Sequence, residues 1–207
     1  MIKEPVVILA NGDYPTHPIP VQKINEAGCI ICCDGAVSQL LDNGLEPYAI
    51  IGDLDSLDDS IKNKYRNKTI HFPDQDENDL QKAIRWAEGE GIKKVTILGA
   101  VGKRDDHSLS NIFILLQFPT SLKCILLTDQ GVFTVAEGRV DFQSFPGQQV
   151  SLFSASPEIK ITSTNLKYNL ISAKLNNLYS GSLNESTSEK FTLTILHGEI
   201  LVYQVFA

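Results

Sequence analysis

Asp53, Asp55, Asp58 and Asp59 fall within seven positions of the chain, directly after the apolar run AIIG at 49–52. Carboxylates that close repel one another, so such a cluster is either a solvated acidic turn at the start of a helix or a set of ligands sharing a cation. Mg²⁺ is a cation of the right kind, because it binds through one or two carboxylates and completes its shell with water and substrate phosphates. Asp79 stands three residues before Lys82, a spacing that places a carboxylate and an ammonium on one face of a helix. The stretch GKRDDH at 102–107 adds Arg104, Asp106 and His107, and CDG at 33–35 adds Asp34 and Gly35. Taken singly, each group has an ordinary reading: Asp34 with Gly35 as a turn, Asn78 or Asp76 as a helix cap, and 102–107 as a hydrophilic turn with self-paired charges. Together they suit metal-assisted handling of phosphates.

The elements that must position these groups alternate. Short apolar runs at 5–10, 29–33, 48–52, 69–72, 94–99 and 123–129 read as buried parallel strands. Helical stretches lie between them. GAVSQLLDNG ends in the cap signal Asn43-Gly44. ENDLQKAIRWAEGEG carries Leu80, Ile84 and Ala87 on one face. DHSLSNIFILLQF spaces Leu109, Ile112, Phe113 and Leu116 at helical intervals. This alternation predicts a doubly wound α/β domain with a mostly parallel sheet over 1–131. In such sheets ligands bind beyond the carboxyl ends of the strands, and all four polar clusters follow strand ends. From 132 to 207 apolar and polar residues alternate with Gly and Pro punctuation, which predicts an antiparallel β-sandwich. The tail KFTLTILHGEILVYQVFA reads as two strands joined by a hairpin at His197-Gly198, and 176–189 as a long loop.

Composition sets outer limits. The 207 residues can bury a real core, and 43% hydrophobic with 21% charged residues are ordinary globular values. The formal net charge of −7, without a basic block, argues against nucleic acid or an anionic membrane as partner. No run of about 18 apolar residues is present, and the start MIKEPVVILANGD lacks the pattern of a signal peptide. Cys29, Cys32, Cys33 and Cys124 include a C-x-x-C, but it sits inside a strand pattern with no second pair or nearby His. Buried reduced thiols and a cytoplasmic location are therefore expected. No P-loop or G-x-G-x-x-G occurs.

In order and spacing, these stretches resemble the thiamine pyrophosphokinase (thiamine diphosphokinase) family. The similarity runs through CDGA at 33–36, GDLDS at 52–56, DQDENDLQKA at 74–83, GAVGKRDDHSLSN at 99–111, NLKYNL at 165–170 and GSLNE at 181–185. The chain departs from the family pattern at Asn78 for Thr, Lys103 for Gly, Asn165 for Gly and Leu183 for Ser. Asn at 165 is the mildest of these, since Asn tolerates a left-handed backbone.

The resemblance implies transfer of a pyrophosphoryl group from ATP to the hydroxyl of thiamine, giving thiamine diphosphate and AMP. It implies Mg²⁺ held by Asp53, Asp55 and Asp79, and phosphate contacts from Lys82 and Arg104. Asp106 would bind metal or orient the hydroxyl, and Asp34, Gly35, Gln75, Asn78 and His107 would surround the nucleotide. It further implies thiamine contacts from Tyr168, Asn184 and Glu185, and a homodimer in which thiamine lies between the α/β domain of one subunit and the β domain of the other. Two rival readings are a metal-dependent phosphoesterase or nucleotide pyrophosphohydrolase, and a non-catalytic nucleotide- or vitamin-sensing module. The phosphoesterase usually needs several His ligands, whereas only His107 lies in a cluster.

Overall fold

The computed structural model describes residues 2–55, 57–74 and 76–207. The chain divides into two compact units, Met1–Ile114 with Phe118–Asp129, and Leu115–Gln117 with Gln130–Ala207.

In the first unit six parallel strands follow the apolar runs: β1 (Val6–Leu9), β2 (Cys29–Cys33), β3 (Ala49–Gly52), β4 (Thr69–His71), β5 (Lys94–Leu98) and β6 (Lys123–Leu127). Their order is β6-β5-β1-β2-β3-β4. β1, β2 and β3 are buried along their whole length, which is why they read as unbroken apolar runs rather than alternating ones. β4 was expected to be buried; it is the edge strand, and its residues are only partly covered. From β1 the chain winds outward through β2, β3 and β4, then returns to place β5 on the other side of β1. The switch point of the sheet therefore lies between β1 and β5.

Helices α1 (Pro18–Asn25), α2 (Ala36–Asp42), α3 (Asp59–Lys64), α4 (Asp79–Gly89) and α5 (Asp105–Gln117) connect the strands. The pair of prolines hides α1 from pattern reading. Pro18 nevertheless suits the first helical position, where no N–H partner is needed, and the His17 side chain accepts the Ile19 N–H as cap. α4 has the strongest local signals: Asn78 and Gln81 form a reciprocal capping box, and Leu80, Ala83, Ile84 and Ala87 are buried against β1, β2 and β3. α5 buries Ile114 and Leu115, while Leu109, on the face its spacing suggested, is 59% exposed.

The second unit is antiparallel, with β7 (Gly131–Gln143), β8 (Gln149–Phe153), β9 (Lys160–Thr164), β10 (Ala173–Lys174), β11 (Asn184–Glu185) and β12 (Lys190–Val205). The expected hairpin at His197-Gly198 does not form. β12 is one strand that pairs β7 along its whole length, with a register shift between Thr194 and Glu199. His197 (φ 60°) and Gly198 (φ 110°) make this bulge, with Gly138 (φ 65°) near it on β7. Before the bulge β12 pairs β9, and after it β8, so one bent strand serves both layers of the sandwich. The core between them holds Leu152, Ile161, Leu193, Ile195, Ile200 and Val202, with Phe142 and Phe191 stacked at 4.9 Å.

Candidate active site

The strand ends of the first unit bring three carboxylates together. Asp34, at the end of β2, is 1% exposed. Its main-chain N–H donates to the Ile51 carbonyl on β3 at 2.8 Å. Asp53 and Asp55 follow β3. The Asp53 carboxylate accepts the Asp55 N–H at 3.3 Å, and Leu54 between them takes a left-handed φ of 68°. Carboxylate oxygens of Asp34, Asp53 and Asp55 all lie within 4.8 Å of one another. The helix reading of this acidic run applies further along, where Asp58 and Asp59 begin α3.

Asp79 opens α4 beside this group. Gly52 permits the approach: a Cβ there would come to 2.8 Å from Asp34 Cβ and 3.1 Å from Asp79 Oδ1. Lys82 Nζ lies 3.3 Å from Asp79 Oδ1, and its side chain is 4% exposed. Burial pushes the Asp79 carboxyl above the usual carboxylate range; Lys82 opposes that shift, and Asp53 and Asp55 add to it. A hard divalent cation fits the oxygen donor set. Asp79, the third ligand the resemblance implied, stands next to the Asp34–Asp53–Asp55 group across Gly52.

The other walls come from loops after β1 and β5. They are laced beyond the strand ends: Ala10 N–H to Leu98 O at 2.8 Å, Gly12 N–H to Gly99 O at 2.6 Å, and Asp13 N–H to Val101 O at 2.8 Å. Together with α4 they enclose a cleft of about 470 Å³. It is lined by Asp53, Asp79, Lys82, Asn78, Arg104 and His107 among the expected groups. It is also lined by Asn11, Gly12, Glu77, Lys103 and Asn111, which sequence reasoning did not single out as site residues. Gly35 caps α2 with its backbone, and a Cβ on it would reach 2.5 Å from Asn11 Nδ2. Asn111 donates to the Ala100 carbonyl at 2.8 Å and accepts from Asn78 Nδ2 at 3.2 Å, tying the start of α4 to the loop after β5. Glu77 holds Arg85 in a close ion pair. Arg104 makes a two-pronged contact with Asp106, at 3.0 and 2.5 Å, and the guanidinium holds the Asp106 carboxyl down at about 2. Gln75 lies outside the described residues.

Cys33 lines the cleft, but the thiols are held protonated. Burial raises the Cys29 thiol to about 11 and pushes Cys32 and Cys33 higher. These are not the thiolates that metal binding or redox exchange requires.

In the second unit the expected thiamine-side residues form one small group. Tyr168 is 63% exposed. Asn184, which is buried, accepts the Tyr168 N–H at 3.1 Å and donates to the Tyr168 carbonyl at 2.9 Å. Its carboxamide is thus committed to the turn that carries Tyr168. Glu185 pairs with Lys167 at 3.2 Å. Asn165 has φ 63°, as its place at a family glycine implied, and Leu183 has φ 61° with its side chain exposed.

A parallel-sheet cleft that gathers carboxylates beside Lys82 and Arg104, joined in one chain to an antiparallel β unit, suits metal-assisted handling of phosphorylated groups. A model of the thiamin pyrophosphokinase catalytic domain matches residues 21–126, and one of the thiamin pyrophosphokinase substrate-binding domain matches residues 131–203. The chain belongs to the thiamin pyrophosphokinase family. It is 27% identical to thiamin pyrophosphokinase 1 of Caenorhabditis elegans over 184 residues, 81% of this chain and 75% of that one. It is 28% identical to the thiamine pyrophosphokinase of Bacillus subtilis over 171 residues, 79% of this chain and 80% of that one. The fold is that of the B. subtilis thiamine pyrophosphokinase crystal structure, with a TM-score of 0.81 at 24% identity over 97% of this chain and 98% of that chain. The Candida albicans thiamin pyrophosphokinase superposes with a TM-score of 0.76 at 17% identity, covering 97% and 89%.

Proposed function

We propose that this chain acts as a thiamine diphosphokinase using Mg·ATP. The thiamine hydroxyl oxygen attacks the β-phosphorus of ATP, the bond from that phosphorus to the bridging oxygen of the α-phosphate breaks, and AMP leaves. The hydroxyl proton passes to solvent, and the pyrophosphoryl group ends on thiamine. Such transfers are governed by positioning and by charge stabilisation more than by covalent help from the protein.

The observation that carries this reading is the packing of Asp34, Asp53 and Asp55 within 4.8 Å of one another, beside the Asp79–Lys82 pair. These carboxylates would hold Mg²⁺, which when bound offsets the charge of the triphosphate. Lys82 is buried and aimed by Asp79, so it presents one ammonium to phosphate with little conformational freedom left to lose. Arg104 offers a planar fork, and Asp106 acts by fixing that fork rather than by holding metal. Asn78 and His107 line the nucleotide cleft, and Gly35 and Asp34 sit behind it, against Asn11 and Gly52. Gln75, in the same sequence element, contributes a polar contact. On the other unit Tyr168 presents its ring to the cationic substrate, Asn184 holds Tyr168 in place, and Glu185 supplies charge nearby. Residues 1–131 carry the nucleotide chemistry and 132–207 the thiamine contacts.

A homodimer belongs to this reading, supported by the exposed side chains of Tyr168, Ile171, Tyr179 and Leu183 on the second unit. A cytoplasmic setting is supported by the buried, protonated thiols. Among the described residues no helix is long and apolar enough to cross a membrane. The net charge of −7 opposes nucleic acid as a partner.

The test is product analysis with ATP, Mg²⁺ and thiamine. AMP and thiamine diphosphate should appear in equal amounts, and neither without thiamine. Release of phosphate or AMP independent of thiamine would replace this reading with the hydrolase, which family membership does not support.

A further inference from the structure

The geometry points to Lys103, in the loop after β5, as an additional binding residue for the polyphosphate chain of the donor. This deepens the reading of the cleft as a nucleoside triphosphate site and rests on it.

Three observations carry the assignment. The first is charge. Among the described cations of the cleft, Lys82 faces Asp79 at 3.3 Å and Arg104 is gripped by Asp106. Lys103 instead lays its Nζ 2.9 Å from Asn11 Oδ1, a neutral carboxamide, so its full charge remains to be offered to an anion. A protein with a net charge of −7 and carboxylates along the same cleft has to supply such charge locally. The second is backbone. Lys103 has φ 56°, and the Arg104 N–H reaches back to the Gly102 carbonyl at 2.6 Å, closing a three-residue turn around it. A left-handed backbone disfavours any residue with a Cβ. Lys103 thus holds a strained conformation at the mouth of the cleft, which fixes where its side chain leaves the turn. The third is support. Ser108 Oγ accepts the Gly102 N–H at 3.1 Å and donates to the Arg104 carbonyl at 2.8 Å, and Asn11 sits on the laced wall between β1 and β5. The turn and its ammonium are therefore held at the switch point of the sheet, where ligands of this architecture bind.

The test uses the full-length protein with Lys103→Gly, Lys103→Asn and Lys103→Arg. Glycine and asparagine accept the left-handed backbone, so both variants should fold with a Tm equal to or above that of the parent. Calorimetric Kd for Mg·ATP and KM for ATP should rise about five- to thirtyfold in both, the loss of one charge-assisted contact. KM for thiamine should stay within about twofold, and Lys103→Arg should retain ATP affinity within about threefold. Added salt should weaken Mg·ATP binding more steeply in the parent than in Lys103→Asn. Unchanged Kd for Mg·ATP in Lys103→Asn, or equal rises in both KM values, would overturn the assignment. Should the parent form no AMP with thiamine, the proposed reaction falls, while the calorimetric comparison with Mg·ATP still decides Lys103.

Discussion

The Lys82 ammonium lies 3.3 Å from the Asp79 carboxylate one helical turn away, and only 4% of the lysine side chain is exposed. A buried cation with a partly buried partner is costly unless both have further work, because each charge gives up hydration that the pair only partly restores. Lys82→Met should therefore lower kcat about 10²–10³-fold, the scale seen when a preorganised charge is removed from a developing anion. Steady-state kinetics with ATP and thiamine checks this. Lys82→Arg should not rescue, since the guanidinium is bulkier than the buried site.

The metal requirement should carry the signature of Asp79. Its folded-state carboxyl is raised, chiefly by burial, so the fold disfavours the ionised form. The stability tied to this group is present below the unfolded value of about 3.8 and is lost as pH rises through the raised folded value. A cation bound at the neighbouring triad reverses that loss. The gain in Tm on adding Mg²⁺ should accordingly grow as pH rises through the Asp79 transition and vanish below it. Asp79→Asn should flatten that pH dependence, and Asp53→Asn or Asp55→Asn should abolish the gain itself. Thermal melts with Mg²⁺ and with a chelator across pH 3.5 to 8 measure the difference.

Gly52→Ala should be far worse than its size suggests. The added methyl would meet Asp34 Cβ at 2.8 Å and Asp79 Oδ1 at 3.1 Å. Strand β3 is paired on both sides, with β2 and β4, and cannot yield without moving them, so a cost of about 1–3 kcal/mol is expected. Activity should fall further than stability, because the same methyl spreads the carboxylates. The check is the Mg²⁺ concentration giving half-maximal rate, which should rise.

Tyr168 and Asn184 should separate contact from positioning. Tyr168→Ala should raise KM for thiamine about three- to thirtyfold with KM for ATP unchanged, the worth of an aromatic face on a cation. Its Tm should barely move, since the side chain is 63% exposed. Asn184→Ala should raise the same KM and also lower stability by about 1–3 kcal/mol, because two main-chain groups of Tyr168 lose their partner. Tyr168→Trp should preserve thiamine binding. Equal effects on both substrates in Tyr168→Ala would refute the contact.

How much was legible depended on the range of the interaction. β1, β2, β3 and β5 were readable because burial on both faces writes an unbroken apolar run, and α4 because Asn78, Gln81 and the spacing of Leu80, Ile84 and Ala87 are local signals. α1 escaped because Pro18 and Pro20 argue against a helix unless the first turn is considered by itself. His197-Gly198 has turn chemistry and by itself reads as a hairpin; that chemistry makes a bulge in β12 once β7 pairs on both sides of it. Asn11 and Lys103 gave little sign of partnership because 92 residues separate them.

The sequence by itself determined the alternation of strands and helices in the first unit, the change to antiparallel patterning near residue 131, the placement of polar clusters after strand ends, and the resemblance that links them. These follow from periodicity, capping and residue type, all of which act over a few positions. Only the tertiary structure decided that Asp34 joins Asp53 and Asp55, that Asp106 holds Arg104, and that Asn184 holds Tyr168. The first and last of these relations depend on which strands become neighbours, and the second on which rotamers the packed loop accepts. Parallel pairing of β2 with β3 carries Asp34 to its partners because hydrogen-bond register, set over long sequence distances, fixes which strand ends coincide.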